Sequence, residues 1–299
     1  MSKTTYYIVA IVVLLGVNLA LFFSDGFVST TEKVNTYFDA NDLEQISRVT
    51  FVAEDSVVMS KTGEGWILND QYPVDESFFN TLLSILPRIE IVRSVDGWEG
   101  ELLGNAEIEF DFNSRYRFEF AANPMQTKSY FIQNGEAAEV TVPGYRDNVV
   151  DIFTLHPDQW RNRLVFDGSW RSIQKLEINS RNQEPVEIAF DDKFFLINNE
   201  PAQDSSAVVD YLNQFQYFEA NEMISEGRFP QFDSLAQTEP MALIIIEDIK
   251  QDEPIEFKIF PSIKRQAYHL VMKENELMVI DARRVQGLLA TSQDFLGQK

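Results

Sequence analysis

Two histidines are the natural starting point for chemistry, and neither has partners. His156 precedes Pro157 in a mixed aromatic and polar stretch, and His269 sits between Tyr268 and Leu270 in an apolar run. A zinc site takes three or four His, Cys or carboxylate ligands. The chain has Cys 0, so it offers no thiolate ligand, no disulfide framework and no cysteine nucleophile. A serine nucleophile needs the strained Gly-x-Ser-x-Gly elbow, which does not occur. Gly63-Glu64-Gly65 is not a phosphate loop, because it lacks a following Gly-Lys-Ser/Thr and carries an acid inside it. Both histidines are therefore read as structural, with no metal site, no catalytic residue and no cofactor signature.

Carboxylates are the remaining reactive groups. Asp+Glu number 47 against Lys+Arg 25, a formal charge of −22. Two facing acids about 5–10 Å apart could hydrolyse a glycoside. Glu219, Glu222 and Glu226 stand at the spacing of one helix face, and Asp248, Asp252 and Glu253 cluster in a loop. Neither has the fixed glycine of a calcium loop, and both are read as solvated acidic faces. A charge this negative excludes nucleic acid and anionic lipid surfaces as partners, since both select cationic patches. At 44% hydrophobic, the chain has the means for packed cores.

Against this acidic background one stretch stands out. Leu155–Phe166 and its sequel place Arg161, Arg163 and Arg171 near Trp160 and Trp170. Trp and Arg are enriched in binding hot spots, so these five residues are candidate partner contacts. The alternative is a joining segment, with Trp160 and Phe166 in a core and the arginines paired to local acids.

Two features would position these groups. The first is the uncharged run Tyr6–Phe23. At about 1.5 Å per residue it is long enough for a membrane. Lys3 before it and Asp25 after it predict the N-terminus in the cytoplasm and the body outside. The run exceeds the about 7–15 apolar residues of a cleaved signal, and Phe22-Phe23-Ser24-Asp25 is a poor cleavage site, so an uncleaved anchor is expected. Gly16 and Asn18 would suit a helix–helix contact within the membrane. Residues 25–42 read as a polar stalk.

The second feature is a duplication. Ile46–Val52 and Ser56–Lys61 read as strands, the Thr62–Gly65 turn leads to strand Trp66–Leu68, and Asp75 caps a helix that Pro87 closes. Ile173–Ile178, Val186–Phe190, a turn at Asp191-Asp192-Lys193, strand Phe194–Ile197 and an Asp204-capped helix repeat the order. The strand starts are offset by 127 residues, Pro73 and Pro201 by 128, and the caps by 129. Further alternating stretches follow each helix, and helices are expected at Asp147–Leu155 and Ala282–Leu296. Such meanders pack one face and solvate the other.

The N-terminal run, Gly-Glu-Gly-Trp-Ile-Leu at 63–68, Pro-Val-Asp at 73–75, the segment 151–166 and the repeat from Ile173 resemble the bacterial domain-of-unknown-function family DUF 4340. The likeness covers most of residues 42–290. It implies a single-pass membrane protein of the bacterial inner membrane with a periplasmic body. It also implies a partner, because many members are encoded beside ABC-type transporter subunits of the kind associated with gliding motility. It carries over no catalytic residue. The expected fold class is α+β: an N-terminal transmembrane helix (1–24), a stalk (25–42) and two tandem strand-rich repeats, 43–170 and 171–299, of antiparallel sheet with one capped helix each. The expected function is a non-enzymatic, membrane-anchored envelope accessory or scaffold protein associated with an ABC-type transporter. An envelope hydrolase using paired carboxylates and a structural spacer are the alternatives.

Overall fold

The computed structural model describes residues 36–38, 43, 45–111, 114–145, 148–263 and 267–296. Within the first repeat the chain forms β1 (Ile46–Val52), β2 (Ser56–Thr62), β3 (Gly65–Leu68), β4 (Tyr72–Pro73), helix α1 (Glu76–Ile85), β5 (Glu90–Val95), β6 (Glu101–Phe110), β7 (Arg115–Ala122), β8 (Ser129–Gln133) and β9 (Glu136–Thr141). A short strand β10 (Leu164–Phe166) opens the second. There follow β11 (Ile173–Ser180), β12 (Val186–Asp191), β13 (Phe194–Ile197), β14 (Glu200–Pro201), α2 (Ser205–Leu212), β15 (Phe218–Glu219), β16 (Glu222–Ile224) and α3 (Pro230–Ala236). The chain closes with β17 (Ala242–Asp248), β18 (Ile255–Ile259), β19 (Tyr268–Lys273), β20 (Glu276–Asp281), α4 (Ala282–Leu288) and α5 (Gln293–Leu296).

The two large sheets have the same strand order. One runs β4-β3-β2-β1-β6-β7-β8-β9-β5, the other β14-β13-β12-β11-β17-β18-β19-β20-β16. The correspondence extends to irregularities. β1 is bulged against β6 between Ile46 and Arg48, and β11 against β17 between Ile173 and Lys175. A bulge re-aims the strand locally, so Ile46, Val49 and Phe51 are buried just as Ile173, Leu176 and Ile178 are. After each β3-type strand an asparagine in the left-handed region, Asn69 or Asn198, ties the hairpin back. Asn69 accepts from Val58 N at 2.8 Å and donates to Ser56 O at 3.2 Å. Asn198 accepts from Glu187 N at 2.7 Å and donates to Pro185 O at 3.2 Å. Asparagine suits both roles, since it tolerates positive φ and its amide bonds the neighbouring backbone.

The helix starts also match. Asp75 Oδ1 accepts from Phe78 N at 3.0 Å, and Asp204 Oδ1 from Ala207 N at 3.0 Å. Each satisfies an otherwise orphaned first-turn donor. The equivalence reaches upstream as well. Thr36, in the segment read as stalk, bridges Glu90, as Leu164 of β10 pairs with Glu219 of β15.

By packing, the chain divides into two compact units. One gathers the described residues of 1–44, 83–102 and 118–150, the other those of 45–82, 103–117 and 151–299. In the first, aromatic rings meet: the Tyr37 ring centre lies edge-on 4.9 Å from that of Phe131, and the Phe118 ring is tilted 4.5 Å from it. In the second, Val208 and Leu212 of α2 pack with Phe215, Val285 and Phe295 against the inward residues of β11, β17 and β18.

Several expectations need correction. Antiparallel sheet dominates, and the longest described helix is the ten-residue α1. Among the described residues no helix is long and apolar enough to cross a membrane, so the described fold is antiparallel sheet with short helices and without the transmembrane helix expected in the fold class. Tyr6–Phe23, with Gly16 and Asn18, lies outside the described residues. Where a helix was expected at Asp147–Leu155, there is a 3-10 stretch, Val149–Thr154. Ala282–Leu296 divides into α4 and α5. Glu219 and Glu222 lie on strands rather than on a helix face, because the backbone here is claimed by distant partners: Ala220 N donates to Arg163 O at 2.8 Å and Asn221 N to Val279 O at 2.9 Å.

Candidate functional site

The segment joining the repeats is built around a buried carboxylate. Pro157–Trp160 is a 3-10 turn whose cap is His156: Asp158 N donates to His156 Nδ1 at 3.1 Å, and His156 N donates to Gln159 Oε1 at 3.1 Å. That reciprocal box fixes Asp158, which is only 1% exposed. Asp158 Oδ1 accepts from Ser225 Oγ at 2.5 Å, and Oδ2 accepts from Ser225 N at 2.9 Å and Arg228 Nη1 at 3.1 Å. Arg228 Nη1 also reaches Glu222 Oε1 at 2.7 Å. A buried charge is tolerated only when paired and hydrogen-bonded, and Asp158 is both.

The next residues run along the start of α1. Asp75 N donates to Trp160 O at 2.8 Å and Asn162 N to Pro73 O at 2.8 Å. Trp160 is 0% exposed, with its ring 4.9 Å from Phe78 and 6.0 Å from Phe51. Its Nε1 finds no hydrogen-bond partner among the described residues. Arg161 is 3% exposed, stacked 3.7 Å over the Tyr72 ring, and its Nη2 is 3.0 Å from Glu276 Oε1. Arg163 is exposed and meets Asp75 Oδ2 at 3.3 Å. In the second repeat Phe295 takes the place of Trp160: Asp204 N donates to Phe295 O at 3.3 Å, and the Phe295 ring is 5.3 Å from Tyr211. Burial raises the Tyr211 hydroxyl pKa; the hydroxyl donates to Leu288 O at 2.8 Å.

Of the candidate contacts, the joining segment therefore brings together Trp160, Arg161 and Arg163. Trp170 and Arg171 stand apart in the turn before β11, with the Arg171 guanidinium 5.4 Å over the Trp170 ring. Sequence reasoning missed Tyr72, Ser225 and Arg228. A signal existed: Val49 and Leu176 are offset by 127 residues, yet their cross-strand partners Ile108 and Ile246 are offset by 138. Residues have been added to the second repeat between its helix and β17, and they carry Ser225, Arg228 and α3.

Cavities surround this junction. One of 330 Å³ is lined by Tyr72, Arg161, Ser225, Asp233 and Glu276. A second, of 590 Å³, lies between α3 and the β16–β20 pair, floored by Ile224, Phe229, Phe232 and Val279. Two more, of 310 and 380 Å³, share Asp75 and Arg163. Among the described residues no group of three or more His, Asp or Glu side chains is arranged to hold a metal ion. The architecture is thus a tandem duplication of nine-stranded antiparallel sheets. Compared with family models, with curated proteins and with solved structures, the chain matches none.

Proposed function

We propose that the chain is a non-enzymatic accessory or scaffold subunit that holds a protein partner at the junction of its repeats, beside an ABC-type transporter of the cell envelope. The observation that carries this reading is the state of the junction carboxylates. Asp75, Asp158 and Glu222 line one cavity of 310 Å³ at the junction. Asp75 is occupied by the α1 amide and Arg163, Asp158 by Ser225 and Arg228, and Glu222 by Arg228. Groups spent on holding the chain together are poor acids and bases for a substrate. This disfavours Asp75, Asp158 and Glu222 as the paired carboxylates of a hydrolase. Support for binding comes from the added residues after β16, since repeats place such insertions on the binding face. The DUF 4340 resemblance supports the choice of partner.

The test is affinity purification of the tagged full chain from its own cells. Co-purification of an ATPase and a permease subunit is the expected result. Recovery of the chain without either would remove the accessory reading.

A further inference from the structure

The 380 Å³ cavity has a composition that the fold does not need. Trp66, Pro73, Val74, Leu164 and Tyr217 supply apolar and aromatic wall. Glu64, Asp75, Glu76 and Glu219 line it too, against the single guanidinium of Arg163, which Asp75 already engages. Among the described residues no ion pair forms to Glu64, Glu76 or Glu219.

The second repeat shows that two of these acids are dispensable for structure. The hairpin pairs Thr62 with Gly65 and Asp191 with Phe194, so Lys193 stands where Glu64 does. Ser205 begins α2 as Glu76 begins α1. The same turn and the same helix start thus form without either carboxylate. Gly65 is matched to Glu76 in a way that Phe194 could not be. At φ +128, a Cβ on Gly65 would lie 2.5 Å from Glu76 Oε1. Its absence leaves room for the carboxylate against the hairpin. Opposite, Tyr217 holds φ +48 and is 67% exposed, with its amide tied to Asp167 Oδ1 at 3.1 Å. Left-handed backbone is unusual for an aromatic residue.

We propose that this cavity receives one arginine or lysine side chain from a basic segment of the protein partner. The volume is at the small end of the about 300–1,000 Å³ typical of ligand sites, which suits one side chain. The head group meets Glu64, Glu76 and Glu219, and the rings of Trp66 and Tyr217 supply cation–π attraction. Rim carboxylates of this kind speed association and select against acidic partners. The inference rests on the docking reading above and specifies the chemistry of what docks.

The probe is acetyl-arginine amide, titrated into the ¹⁵N-labelled full chain while the four tryptophan indole signals are followed; Trp66→Phe assigns the one that should move. The expected result is a saturable shift of the Trp66 signal alone. It should be weakened about tenfold or more in Glu64→Gln/Glu76→Gln and absent with acetyl-citrulline amide, the uncharged isostere. Equal binding of citrulline, an unaffected double variant, or equal shifts of all indoles overturns it. The co-purification assay keeps the two claims separate. No arginine binding with transporter subunits still recovered sinks only this inference. Arginine binding by a chain that recovers no subunit sinks only the accessory reading.

Discussion

The two repeats meet the same packing problem in different ways. In each sheet one strand near the same end, β8 or β20, is buried on both faces, so something must cover the outer one. In the first repeat the loop between β5 and β6 is five residues, 96–100. Its Trp98 packs with Ala121, Tyr130 and Ile132. Gly100 lets this loop lie flat, since a Cβ there would come within 2.4 Å of Ala122 O. In the second repeat the same connection is seventeen residues, 225–241. It contributes Phe232, with Phe229 and Leu235 beside it, to a cluster with Leu270, Leu277 and Val279. One tryptophan suffices to cover a sheet, so the longer excursion has another use. It supplies Ser225 and Arg228 to Asp158 and walls two of the junction cavities. Shared features hold the fold, and the unshared ones cluster where a partner is proposed to dock.

That contrast can be broken in several ways. The largest effect is expected at Asp158, which the second repeat does not reproduce. Asp158→Ala leaves Arg161 and Arg228 without their buried counter-charge, and should cost about 3–5 kcal/mol in urea unfolding. A loss below 1 kcal/mol would mean that water replaces the carboxylate.

Trp160→Ala and Phe295→Ala test the structural equivalence, and each should cost about 3–5 kcal/mol for the cavity left behind. Trp160→Phe separates ring from indole. Because Nε1 has no partner, this change removes an unpaired donor worth about 1–3 kcal/mol and should be far milder than the alanine variant. Asn69→Ala and Asn198→Ala come next. Each removes a pair of backbone hydrogen bonds and puts alanine at positive φ, for about 2 kcal/mol apiece. Unequal costs would show that the two hairpins only look alike.

The smallest effect is a pH dependence at α2. The Ser206 hydroxyl, and then the Ala207 amide, hold the Asp204 carboxyl below its ordinary value of 3.8. A depressed folded-state value means that its stabilisation is present above the ordinary range and is lost as pH falls through the folded value. Melts of the wild type and Asp204→Asn should therefore differ at pH 5 and converge below pH 3.8. A difference that persists into stronger acid would contradict this assignment.

What could be read from the sequence was whatever local chemistry dictates. Asp75 and Asp204 announce helix starts because a cap needs only its own next three residues, and Pro73 and Pro201 mark the same entry. The Thr62–Gly65 and Asp191–Phe194 hairpins are equally local. The edge strands β5 and β16 were missed because Glu90–Val95 and Glu222–Ile224 carry little alternation. Glu219, Glu222 and Glu226 imitate a helix face, but Arg163 and Val279, both distant in sequence, pull the backbone of the first two into sheet, and Glu226 falls in the turn that follows. The junction was invisible for the same reason. Its network joins Tyr72, Asp158, Arg161, Ser225 and Glu276, and no spacing rule connects them. Arg161 was singled out as a contact from its type. Its burial follows from the Tyr72 ring and the Glu276 carboxylate, which the chain brings from opposite repeats.

The most direct test replaces Phe229–Thr238, which leaves Ser225 and Arg228 in place, with a short Gly-Ser turn in the tagged full chain. Co-purification of transporter subunits is then compared with that of a control, Asn198→Ala, damaged in a feature both repeats share. The account predicts that the shortened chain, destabilised by the loss of Phe232 from its apolar cover, loses the subunits beyond any drop in its folded fraction, whereas the control keeps them in proportion to its folded fraction. Undiminished co-purification by the shortened chain would contradict the claim that the partner docks where the repeats differ.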